Sequence, residues 1–209
     1  MPNETRGLLR VESEGGWSVG DVVEFLKAFQ SAYDGLLIFE TVLEGYAAES
    51  RAWRRYGPFP LDLPFYVNLQ RSAAFLDVPD EALARFIRPQ DHLVLRRVTL
   101  ASPGFWEFLG SLNPLEVLRR YLEDRHRRRQ DREYREAHEH RTLELQNLVL
   151  ENQVLRERIG IVRDLGMADN DLAPLLNRLV YETLERVAIV DARGMILPTM
   201  PSVEEETSG

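Results

Sequence analysis

The stretch NPLEVLRRYLEDRHRRRQDREYREAHEHRTLELQNLVLENQVLRERIGIVRDLG, residues 113–166, predicts a single helix that is charged in its first half and apolar on two sides in its second. Asn113 is suited to the N-cap, Pro114 to the first helical position, where its missing N–H costs nothing, and Glu116 completes an Asn-x-x-Glu box. At the far end Gly166 follows Leu165 as a stop, with Arg158 and Arg163 near the negative end of the helix dipole. Unbroken from Pro114 to Leu165, such a helix reaches roughly 75–80 Å, farther than a domain of this size needs to close its own core. It reads as a reach or assembly element.

The charged half holds nine arginines between Arg119 and Arg141. Arg125, Arg127, Arg128, Arg129 and Arg132 are the candidates for nucleic-acid contact, since a basic helix ahead of a coiled coil is also the order of elements in zipper-type DNA binders. Six interleaved carboxylates oppose that use by repelling phosphate. Glu116–Arg120, Glu123–Arg127, Asp124–Arg128 and Asp131–Arg135 are acid-first i,i+4 pairs, each worth about 0.2–0.5 kcal/mol to a solvated helix. The segment therefore reads first as a charged rod in water, with nucleic acid disfavoured as a partner. His126, His138 and His140 read as exposed histidines. His138 and His140 stand two apart and face different sides, so no metal site is expected.

In the apolar half a heptad places Leu145, Asn152 and Ile159 at a, and Leu148, Leu155 and Val162 at d. A lone asparagine at an a position fixes register and favours two strands. These six residues are the expected interface of a homodimer, its polarity left open. Leu143, Leu150, Val154, Ile161 and Leu165 occupy other helical positions, so a second side also needs cover. A helix from about Asp171 to Val187, with Pro174 in its first turn, is expected to fold back and supply it, with Val187–Val190 as an extended stretch after it.

Upstream, Leu8–Glu12 reads as a strand. Ser18 then caps a helix, with Asp21 three residues on and Trp17 and Val22 as its hydrophobic staple. Val22, Phe25, Leu26, Phe29 and Tyr33 keep helical spacing, and Leu36–Tyr46 continues it through Gly35. The alternative is a turn at Asp34-Gly35 and a strand over Leu36–Val42. Asp80–Ile87 predicts a short helix closed by Arg88-Pro89, and His92–Ala101 predicts a second strand, paired with Leu8–Glu12. Phe105–Leu112 is expected as a short helix or turn sealing the core.

With 209 residues and 44% hydrophobic content, the chain can bury a sizeable core. Its formal charge of −8 opposes a whole-surface footprint for nucleic acid or anionic membrane. It has no cysteine, so disulfides and thiol chemistry are absent. No apolar run approaches a membrane span and Met1–Arg10 does not resemble a secretory signal, which places the expected location in the cytoplasm.

Arg51, Trp53, Arg54, Arg55 and Tyr56 mix guanidinium and aromatic groups on an expected loop, a possible partner or ligand site beside the structural alternative of a capping loop. Asp91-His92 reads as a strand-edge pair and Ser102 as a turn serine. No glycine-rich phosphate loop occurs, and no cofactor, metal or catalytic residue is expected.

The sequence thus predicts a mostly helical α+β protein: a sheet-plus-helix head (1–111), a long projecting coiled-coil-like helix (112–166), a returning C-terminal helix (167–197) and a disordered acidic tail (198–209). Its expected role is non-enzymatic, a scaffold or adaptor that homo-oligomerises and holds an unidentified protein partner. The rivals are a nucleic-acid-associated regulator and a small-ligand-binding or enzymatic head.

Overall fold

The computed structural model describes residues 5–56, 75–131, 153–197 and 201–205. Strand β1 (Arg6–Ser13) leads through Gly16, at φ 87°, to α1 (Val19–Tyr56), a helix of 38 residues. The cap read from sequence is present: Asp21 N–H donates to Ser18 Oγ (3.2 Å) while Ser18 N–H donates to the Asp21 carboxylate (3.0 Å). Trp17 turns back onto Phe25 and stacks on Trp106, ring centroids 5.0 and 5.2 Å apart. The helix does run on through Gly35. Every residue from Ser31 to Glu40 is buried, so α1 is a central helix covered on all sides.

Two short helical turns, α2 (Asp80–Leu83) and the 3-10 turn Ala84–Phe86, precede a hairpin of β2 (Val94–Thr99) and β3 (Gly104–Ser111), joined through a cis Ser102-Pro103 bond. The antiparallel sheet has the order β2-β3-β1-β4, β4 being Ser202–Glu205. This corrects the sequence expectations in three places. The partner of β1 is β3, not the 92–101 strand, which pairs with β3 instead. Phe105–Ser111 is a central strand, not a helix or turn. Part of the acidic tail is an ordered edge strand on β1. In β3 the inward side chains are Trp106 and Phe108, with Phe29 stacked on Phe108 at 5.1 Å; its outward neighbours are also partly covered, which hides the two-residue period.

Helix α3 (Leu112–Asp131) leaves directly from β3, so Asn113 lies within its first turn rather than ahead of it. After α4 (Gln153–Asp164), Gly166 at φ 102° ends the helix as expected. Helices α5 (Asp169–Leu176) and α6 (Glu182–Ala192) are joined by a π-helical turn, Asn177–Tyr181, and together form the returning helix. It reaches Ala192, so Val187–Val190 is helical rather than extended.

The expected unbroken helix needs a larger correction. Residues of α3 and α4 lie against one another, and both pack on α1. A straight helix would hold Asp131 and Gln153 about 33 Å apart, so the two pieces are not parts of one projecting rod. One hydrophobic core runs from Leu9 through α1, α3 and α4 to Ile196, joining the expected head to the elements after it.

Candidate functional site

The register of the sheet arranges its outward side chains in rows. Leu8, Leu109 and Val94 stand across β1, β3 and β2. The next row is Arg10, Glu107 and Arg97, and the one after it Glu12, Phe105 and Thr99. A β-bulge makes this possible: Leu95 pairs with Phe108 and Arg97 with Glu107, so Arg96 is the extra residue. Without it Arg97 would point inward. Glu107 lies between two arginines, 3.8 Å from Arg10 and 3.8 Å from Arg97, while Arg10 also covers the Phe105 ring at 4.0 Å. The two arginine side chains remain 45% and 67% exposed.

The β2 edge is exposed on both of its faces. Five of its six residues are exposed, Val94 on the outward face and Leu95 and Val98, opposite Phe108 and Trp106, on the other, each of the three at 40–44%. Leu100, just after the strand, and Phe86 are also exposed. Among the described residues no strand pairs with the outer side of β2; an edge of this kind carrying aliphatic side chains is a template for another chain, and the bulge and arginines restrict which chains can use it. Charged and apolar rows side by side can take an extended segment by hydrophobic contact and carboxylate–guanidinium pairing.

The sites expected from sequence fall elsewhere. Of the six seam residues, Leu155, Ile159 and Val162 are buried within the single chain, none more than 2% exposed. That half of the seam is therefore closed by α1 and its neighbours rather than open to a second copy. Leu145, Leu148 and Asn152 lie outside the described residues.

Arg51 to Tyr56 form the last turns of α1, not a loop. Arg51 is exposed, and the side chains of Trp53, Arg54, Arg55 and Tyr56 lie outside what is described.

Arg125 is turned inward. Its Nε donates to Asp191 at 2.8 Å, its Nη2 donates to the Ala188 carbonyl at 3.1 Å, and Asp191 is fully buried. It serves as an internal counterion, not as a phosphate contact. Arg127 is exposed and 3.8 Å from Asp124, whereas its expected partner was Glu123. The side chains of Arg128 and Arg129, and all of Arg132, lie outside the described residues. His126 is buried rather than exposed. Glu116 pairs with Arg120 as the i,i+4 pattern predicted, at 2.9 Å, and with Arg119 at 2.6 Å. These arginines hold the Glu116 carboxyl below its usual range.

Among the described residues no group of three His, Asp or Glu side chains is placed to hold a metal, and no helix is long and apolar enough to cross a membrane. Comparison with protein-family models, curated proteins and solved structures finds no match to this chain.

Proposed function

We propose that this is a non-enzymatic interaction protein, an adaptor whose docking surface is the outward face of the sheet together with the β2 edge. The partner is an extended protein segment that alternates apolar and acidic side chains. The observation that carries this reading is the β2 edge, where aliphatic side chains and Arg96 and Arg97 are exposed together on a strand whose outer side has no partner among the described residues, in a protein with net charge −8. The opposite edge supports it, because there β1 is paired by Ser-Val-Glu-Glu, an extended segment that sets one aliphatic side chain beside two carboxylates. Strand addition of this kind draws affinity from main-chain hydrogen bonds and selectivity from alternate side chains.

Self-association is a separate part of the proposal. With Leu155, Ile159 and Val162 inside the core, a homodimer through the heptad would rest on Leu145, Leu148 and Asn152.

The test pairs two measurements on the full chain. Fluorescence anisotropy with labelled peptides of the form (Val-Glu)n and (Val-Lys)n should show binding of the acidic series alone, weakened at least about tenfold by Arg97→Glu or Val98→Pro. Equal binding of both series, or none, would overturn the docking surface. Light scattering should give a mass near twice 24.2 kDa for a dimer, and Leu148→Glu should return it to one chain.

A further inference from the structure

The bulge in β2 sets a spacing as well as a direction. On the helix-facing side the strand presents Leu95 and Val98, opposite Phe108 and Trp106, and on the outward side Val94, Arg97 and Thr99. Leu95 and Val98 are three positions apart although the β3 residues they face are two apart, because Arg96 is the extra residue. A regular strand changes face at every residue. A partner with apolar side chains at every second position therefore keeps step with β2 on one side of Arg96 only. Beyond it, its apolar and acidic side chains fall on the wrong faces.

Both faces of β2 leave room for a partner's side chains. Leu95 and Val98 remain 40% and 41% exposed although they are on the helix-facing side, so the helices stop short of β2. On the outward side Glu107 stands between Arg10 and Arg97, one acid for two arginines, and Arg96 adds a further exposed cation. An acid beside Arg97 continues the alternation of charge across that row, and opposite charges on neighbouring strands stabilise their pairing.

We propose that the segment added to β2 carries the pattern apolar-acid-acid-apolar, which matches Leu95-Arg96-Arg97-Val98 residue by residue. This rests on the reading of the β2 edge as a docking surface and makes that surface selective for a spacing. The two apolar side chains lie beside Leu95 and Val98, one acid meets Arg97 in the outward row, and the other meets Arg96 at the bulge. The pattern is the same read in either direction, so it fits an added strand of either polarity. The chain's own Val203-Glu204-Glu205-Glu206 has the acids but lacks the second apolar residue, which makes the tail of another copy a poorer match.

Fluorescence anisotropy on the full chain tests this with two labelled peptides about ten residues long, flanked by threonine and identical in composition, one centred on Val-Glu-Glu-Val and the other on Val-Glu-Val-Glu. Equal charge gives both the same long-range attraction, and the Val-Glu-Glu-Val peptide should bind about tenfold or more tightly. Arg96→Glu should weaken that peptide at least about tenfold and the alternating one less. Deleting Arg96 removes the bulge and should reverse the preference; Arg96 is exposed, so Arg96→Glu still decides if the shortened chain does not fold. Equal binding of the two peptides, or an Arg96→Glu chain that keeps the parent's preference, would overturn the spacing while leaving the docking surface in place. Binding of neither peptide would overturn both. A peptide of residues 201–207 that bound as tightly as Val-Glu-Glu-Val would make a second copy the occupant and overturn the pattern.

Discussion

A Cβ placed on Gly35 would stand 2.2 Å from the carbonyl oxygen of Leu179, and 3.0 Å from the Thr183 methyl. Glycine is what lets the central helix reach the returning one. The Leu179 carbonyl belongs to the π-helical turn and already accepts from Thr183 Oγ1 at 2.9 Å, so it is held in place and cannot retreat. Gly35→Ala should therefore destabilise the fold by about 1–3 kcal/mol or more, despite the higher helix propensity of alanine. Urea denaturation measures it, and a neutral or stabilising effect would contradict the close crossing.

Arg125 and Asp191 form a pair whose acid is fully buried. Arg125→Ala removes the ion pair of that buried acid and should lower stability by about 3–5 kcal/mol, whereas Arg125→Ala with Asp191→Ala should recover a substantial part. A double-mutant cycle by denaturation reads the coupling. Additive losses would show that the two do not interact.

Burial raises the Asp34 carboxyl to about 7, against a smaller opposing effect of the Gln30 hydrogen bond. The charged groups lining a groove with it are Glu24 and Lys27 on α1, Arg186 on α6 and Arg193 just beyond its end. Between its unfolded value of 3.8 and about 7, the folded protein holds a proton that the unfolded chain has released. Asp34 therefore favours folding most at low pH, and stability falls as pH rises toward 7 and then levels off. Asp34→Asn removes the titration, so its stability relative to the parent should rise by about 1–4 kcal/mol between pH 4 and pH 8. Urea melts at the two pH values measure the change, and an equal difference at both would sink it.

Leu155 separates the two meanings of the heptad. Because Leu155 is fully buried on a helix that packs against α1 and α3, its replacement by aspartate should unfold the whole chain in one cooperative transition. Loss of a dimer with an intact near-ultraviolet circular dichroism spectrum would instead restore the seam.

Much of the architecture was readable because it is governed by short-range chemistry. Ser18 and Asp21 mark the start of α1 through bonds they make with each other, and Gly166 marks the end of α4 through its own φ. What was misread depends on distant neighbours. Trp106 and Phe108 face the helices while Phe105 and Leu109 are half-covered on the other side, so Glu107 is the one polar side chain between Phe105 and Leu109 and does not by itself reveal a strand. Leu155, Ile159 and Val162 lie on one face whether the cover is a second copy or the chain's own α1, and spacing alone does not separate the two. Asp34 did carry a signal: it is the one acid in the run FQSAYDGLLIF. The sequence alone does not show that this acid is buried, because helical periodicity records which face is apolar and not whether that face is wholly enclosed.

Strand β4 gives the fold a temporal order. Its four residues pair with β1 near the opposite end of the chain, and no earlier segment among the described residues occupies that edge. During synthesis β1 can join β3 as soon as the hairpin emerges, yet its other side stays open until residues 202–205 have left the ribosome. The nascent chain thus passes through a stage in which β1 has an open side, and an open strand edge can pair with another chain.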